Sequence, residues 1–162
     1  MKAANSDSEL KDLAYKFINK HRTAALATVD DKGTPHVAPI FCIARKDLSI
    51  YFSTRVEGRK FTNLVNHPTV AMTVVDKENL TAIQLTGLAE RLDNLNLEQA
   101  ILYDLATLRY QDPNWTMPTM KLFESGVTNE LAVIRVTATE MTYANFATPT
   151  NGKYKPFFQK VI

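Results

Sequence analysis

The stretch Ser53-Thr54-Arg55-Val56-Glu57-Gly58-Arg59-Lys60 holds the residues best suited to binding chemistry. Two hydroxyls close an apolar run, a glycine loosens the turn, and two adjacent cations open a segment of helical pattern. The first N–H groups of a helix lack partners within it and carry partial positive charge, so a phosphate suits that place. Arg59 would fork onto two phosphate oxygens, and Lys60 would add a point charge. The alternative is a solvated basic turn in which Glu57 pairs one of the cations, an arrangement common on protein surfaces.

Other candidates are sparse. His21, His36 and His67 are scattered along the chain, and their spacing reveals no metal site. Cys42 lies in the run Ile40-Phe41-Cys42-Ile43, where a small buried hydrophobe is expected rather than a nucleophile. Trp115, the only tryptophan, sits in a loop over 111–118 and either anchors it or reaches a bound ligand. There is no G-x-G-x-x-G, phosphate loop, G-x-S-x-G elbow or H-E-x-x-H. No side chain stands out as an acid or base, so no catalytic residue is assigned.

The elements that must position these residues follow from periodicity. Residues 6–20 predict a helix, with Ser6 and Glu9 as a capping box and Leu10, Leu13, Ala14, Phe17 and Ile18 on one stripe packed on the barrel. Three β-rich runs follow, 23–29, 34–44 and 48–54, joined by turns at Asp30-Asp31-Lys32-Gly33 and Arg45-Lys46-Asp47. Pro35 and Pro39 cannot donate to a ladder, so the second run should bend or form an irregular edge near Ala38-Pro39. A short helix over 57–66 ends at His67-Pro68. A second hairpin, 69–76 and 80–92, carries Gly87 as a bulge or close backbone approach. A helix over 95–109 has Asn94 and Asn96 as candidate caps, and a further helical turn falls at 119–124. A long strand over 131–144 and a turn-rich tail complete the chain. About six strands in antiparallel hairpins with peripheral helices predict a mainly β, closed or half-open barrel.

Composition sets the limits on function. The 162 residues suit a single domain, residues 1–162, with a helical insertion at about 95–125 and a tail from 147. A net charge of +2 is too small to expect nucleic acid or an anionic membrane as a partner. One cysteine excludes an internal disulfide. No run approaches the ~20 apolar residues of a spanning helix, and no signal peptide is evident, so the cytoplasm is the expected compartment.

The order of these motifs resembles the pyridoxamine 5′-phosphate oxidase-like family of FMN-binding split barrels. The matching residues are Ala24-Ala25-Leu26-Ala27-Thr28-Val29-Asp30, Gly33-Thr34-Pro35-His36-Val37, Tyr51-Phe52-Ser53-Thr54, Arg59-Lys60, Asn63-Leu64, His67-Pro68 and Gly87-Leu88-Ala89-Glu90. The resemblance implies a six-stranded antiparallel split β-barrel. It implies that Ser53, Thr54, Arg59 and Lys60 hold the FMN phosphate and that the backbone of Ala38, Pro39 and Ile40 lies along the flavin ring. It also implies a homodimer, with flavin in the groove between barrels and a small-molecule substrate.

The departures narrow the activity. The arginine and lysine that true oxidases carry on the second strand align with Ala38 and Ile43. Their FMN-binding glutamine aligns with Ala82, and Gln84, on the same side of a regular strand, is its candidate substitute. Their late tryptophan aligns with Ala144, and their C-terminal Arg-x-His is absent. The expectation is an FMN-dependent oxidoreductase of the general-stress type, fed by a reduced nicotinamide, that does not oxidise vitamin B6. The alternatives are the deazaflavin F420 or haem in the same barrel, or a non-enzymatic binding module.

Overall fold

The structure is a computed structural model, and it describes residues 7–107, 130–146, 149–150, 153–154 and 157–162. Helix α1 (Asp7–His21) is followed by strands β1 (Thr23–Val29), β2 (Pro35–Phe41), β3 (Ile43–Ala44) and β4 (Ile50–Arg55). Helix α2 (Arg59–Asn66) leads into β5 (Thr69–Asp76) and β6 (Thr81–Arg91), and helix α3 (Leu95–Ala106) comes next. Strand β7 (Leu131–Asn145) is followed by the short pair β8 (Pro149–Thr150) and β9 (Lys153–Tyr154), and by β10 (Phe157–Lys160).

The pairing is antiparallel throughout, in the order β2-β1-β5-β6-β7-β4-β3, with β10 added to β7. Strands β2 and β3 are one run of chain broken only at Cys42, yet they stand at opposite edges of the sheet. The sheet therefore curls on itself, and this bent run closes a six-stranded split barrel. The bend is at Cys42, where the N–H donates to the Arg22 carbonyl at 2.8 Å, and not at Ala38-Pro39. Register is unbroken from Thr23↔Phe41 to Val29↔Pro35, because Pro35 and Pro39 turn their missing donors to the outer edge of β2.

Alternation sorts the side chains. Leu26, Phe52, Val74, Ile83, Ile134 and Met141 fill the barrel, and α1 closes one end with Leu10, Ala14, Phe17 and Ile18. Asn19 fastens α1 by pairing with the Ala44 backbone, giving to its carbonyl and accepting from its N–H, each at 3.0 Å. Helix α2 closes the opposite end, where the buried Asn63 donates to Thr28 Oγ1 at 3.0 Å. Helix α3 lies outside, its Ile101, Leu102 and Leu105 packed on Tyr51, Leu131 and Val133 of β4 and β7.

Gly87 is both a bulge and a close approach. The β6–β7 register shifts at Thr86/Gly87, and a Cβ there would lie 2.5 Å from the Thr137 carbonyl oxygen. The bulge re-aims β7, whose upper half pairs with β10 and lower half with β4. Cys42 is fully buried, and burial pushes its thiol up to about 12, which leaves it inert at neutral pH.

Candidate functional site

Helix α2 begins against the usual electrostatic rules. Its N-cap is Gly58, which supplies no side-chain cap, and its first turn holds no acid but opens with Arg59 and Lys60. The first helical bond runs from the Thr62 N–H to the Gly58 carbonyl at 3.2 Å, so the N–H groups of residues 59–61 have no helical acceptor. Gly58 has an ordinary extended backbone, φ −82°, so it is not there for conformational freedom. Its small size matters, because a Cβ would stand 3.2 Å from the Arg55 carbonyl oxygen.

Lys60 is half-buried with its Nζ 6.0 Å from the centre of the Phe52 ring, and burial lowers its pKa from the ordinary lysine range. Among the described residues, neither Arg59 nor Lys60 has a carboxylate within ion-pairing distance, Glu57 included. The neighbouring Arg55 is paired, to Glu130 at 3.1 Å. A desolvated cation without an anion, beside free helix N–H groups, fits a phosphate oxygen set.

Strand geometry separates the two hydroxyls. Thr54 shares its face of β4 with Phe52 and is buried, so it lies on the side that Lys60 covers. Ser53 shares the opposite face with Tyr51. Strand β4 is paired to β3 only at Ile43↔Tyr51 and Ala44↔Ile50, and beyond that point β2 has left for β1. The outer edges of β2 and β4 thus face a split. On β2, the prolines fix which groups look outward: residues 35, 37 and 39 turn their carbonyls, and Val37 its N–H, away from β1. Free backbone groups come from this edge, not from a bulge in β2. Along β2, Pro39 and Val37 point out, whereas Ile40 is buried in the barrel and Ala38 is half-buried on the same side.

The outer face of β2, β1, β5, β6 and β7 forms a groove of about 520 Å³, within the usual size for small-ligand sites. Register places Pro39, Ala25, Thr73, Gln84 and Thr142 on one rung across it. The next rung is Val37, Ala27, Ala71, Thr86 and Glu140. Gln84 is exposed there, while Ala82, two residues earlier, is buried. The sequence reading missed the alanine floor, although small residues at alternate positions 25 and 27 were its visible sign. Trp115 and the helical turn at 119–124 lie outside the described residues, as does the insertion beyond 107.

All three histidines are engaged. The Nε2 atoms of His36 and His67 lie 3.0 Å from Asp30 and Asp31, and that of His21 lies 3.4 Å from Asp76. The His36 hydrogen bond, then the Thr34 and Lys32 N–H groups, hold Asp30 down to about 2. No cluster of three metal-ligating residues exists among the described residues. No helix among them is long and apolar enough to cross a membrane.

Residues 10–145 match the family model for pyridoxamine 5′-phosphate oxidase. The fold is similar to that of general stress protein 26 from Bacillus anthracis, at 21% identity and TM-score 0.61, covering 93% of this chain and 98% of that one. It is likewise similar to the haem storage protein of Vibrio cholerae, at 15% identity and TM-score 0.61, covering 82% and 92%. An F420 reductase shares 24% identity, with TM-score 0.61 and coverage of 78% and 93%. No curated protein matches the chain at the sequence level.

Proposed function

The chain belongs to the pyridoxamine 5′-phosphate oxidase family, and from that premise we propose that it is an FMN-binding oxidoreductase acting as a cytoplasmic homodimer. The observation that carries the reading is the reversed start of α2, with two cations, no cap and three free N–H groups where a phosphate would sit. Arg59 forks onto the phosphate, Lys60 adds a partly desolvated charge, and the N–H groups of residues 59–61 complete the cradle. Thr54 stands on the Lys60 side of β4 and Ser53 at the strand edge, so the two hydroxyls flank the phosphate from opposite faces. Of the β2 stretch Ala38, Pro39 and Ile40, it is Pro39 whose carbonyl faces outward, and with the N–H and carbonyl of Val37 it would meet the polar rim of the ring, while Val37 and Pro39 offer apolar surface. Bound FMN would supply two-electron chemistry between a reduced nicotinamide and a small-molecule acceptor. The protein's part is position and electrostatics, since among the described residues no side chain at the split is placed as an acid or base. Trp115 is a further candidate contact to the flavin.

Haem draws less support, because each imidazole already turns its Nε2 to an aspartate. The purified protein should be yellow, with the absorption bands of oxidised flavin. Colourless protein that takes up no FMN on reconstitution would overturn the reading. Uptake of F420 in its place, or a Soret band after haem addition, would reassign the cofactor.

A further inference from the structure

Resting on the flavin reading above, we propose that Asn63 is a positioning residue, whose buried bond to Thr28 fixes the rotation of α2 and its distance from the β2 edge. The phosphate end and the ring end of one cofactor are thereby held at a constant separation. Helix α2 has little else to hold it. Its buried residues are Asn63 and Leu64, Phe61 packs on the core only in part, and Val65 is 62% exposed. Apolar burial is non-directional, so Leu64 fixes the depth of the helix more than its rotation. A hydrogen bond has direction. Asn63 Nδ2 donates to Thr28 Oγ1 at 3.0 Å, and the two residues are 4% and 3% exposed. An amide left without its partner at that depth is costly, so α2 keeps the rotation that makes the bond.

Helical spacing carries this constraint to the cations. Asn63 is four residues after Arg59 and three after Lys60, so all three share one side of α2. Turning Asn63 away from Thr28 would turn Arg59 and Lys60 with it. Thr28 carries the constraint to the other end. It pairs with His36 in the β1–β2 register, next to Val37, whose N–H and carbonyl face outward. The turn of the same hairpin also takes the end of the helix. Asn66 Nδ2 donates to Asp31 Oδ1 at 3.1 Å, and His67 Nε2 lies 3.0 Å from the same oxygen. Those contacts are solvated and hold little by themselves. The buried pair is not required for stability either, because replacing both partners by apolar groups of the same shape is close to neutral. What an apolar pair would lack is a preferred rotation.

The test compares two ligands of different reach. FMN spans both ends and is read by fluorescence titration, whereas inorganic phosphate needs only α2 and is read by calorimetry. Asn63→Leu/Thr28→Val should melt in the apo form within about 3 °C of the wild type. It should bind inorganic phosphate within about twofold of the wild type, yet lose FMN affinity about tenfold. Thr28→Ser, which keeps the acceptor, should bind FMN as the wild type does. If the double variant does not fold, Thr28→Val set against Thr28→Ser makes the same comparison. FMN and phosphate weakened by the same factor would overturn the proposal, and so would unchanged FMN affinity. A melting temperature that falls in step with FMN affinity across the variants would reduce Asn63 to a structural residue and overturn it too. A wild-type chain that binds phosphate but no FMN would instead sink the flavin reading on which this role rests.

Discussion

Helix α3 starts on Asn94, whose side chain accepts the Leu97 N–H at 3.0 Å, and it carries Glu98 in its first turn. Helix α2 starts on Gly58 with no side-chain cap and carries Arg59 and Lys60 instead. A side-chain cap is worth about 1 kcal/mol, and a charge of the right sign at a helix end about 0.3–1 kcal/mol. Helix α3 takes both contributions and buries Ile101, Leu102 and Leu105 besides. Helix α2 forgoes both, and half-buries one of its cations. The contrast separates a helix end built for stability from one that an anion would complete.

The largest expected effect is on the cofactor. Arg59→Ala/Lys60→Ala should cut FMN affinity about 100-fold or more, since charge-assisted hydrogen bonds are worth about 1.5–3 kcal/mol each. Thermal melting of the apo form should not fall, because like charges leave a positive helix end. A melting point that drops with the flavin would make α2 a structural helix like α3. Asn94→Ala should do the opposite, costing about 1 kcal/mol in urea unfolding while leaving FMN affinity unchanged.

The pH dependence of Lys60 sharpens the same contrast. Burial lowers its folded pKa, so between that value and the ordinary ~10.4 the unfolded chain keeps a proton that the folded chain lacks. Apo stability therefore gains with rising pH in that window, while the grip on phosphate, which needs the charge, weakens. FMN affinity should fall on the alkaline side before an ordinary lysine titrates, and Lys60→Arg should flatten that fall. An unaltered alkaline limb in the arginine variant would place the titrating group elsewhere. The smallest effect is that of inorganic phosphate, which at its own dissociation constant should stabilise the apo protein by about 0.4 kcal/mol. Calorimetry should show that gain in the wild type and in Asn94→Ala but not in the double variant.

Much of this was legible in the residues themselves. The stripes of α1 and α3, the cap at Asn94, the hairpin of β5 and β6 and the buried Cys42 all follow from local periodicity and turn chemistry. The cationic start of α2 was visible as two adjacent letters. The bend of the second β-run was misplaced, because prolines compatible with a free strand edge look the same in sequence as prolines that break a strand.

The sequence alone determined most of the strands and helices, though not β10 in the tail or the break at Cys42, and that one short turn brings two cations together. Tertiary structure decided the rest: that α2 buries Lys60 over Phe52, that Ser53 and Thr54 face opposite ways, and that Pro39 and Gln84 share a rung. Periodicity reports which residues of one element share a face. Rungs, splits and uncovered faces depend on the register between segments distant along the chain. The β1–β5 pairing joins residues nearly fifty positions apart and fixes where Gln84 lies.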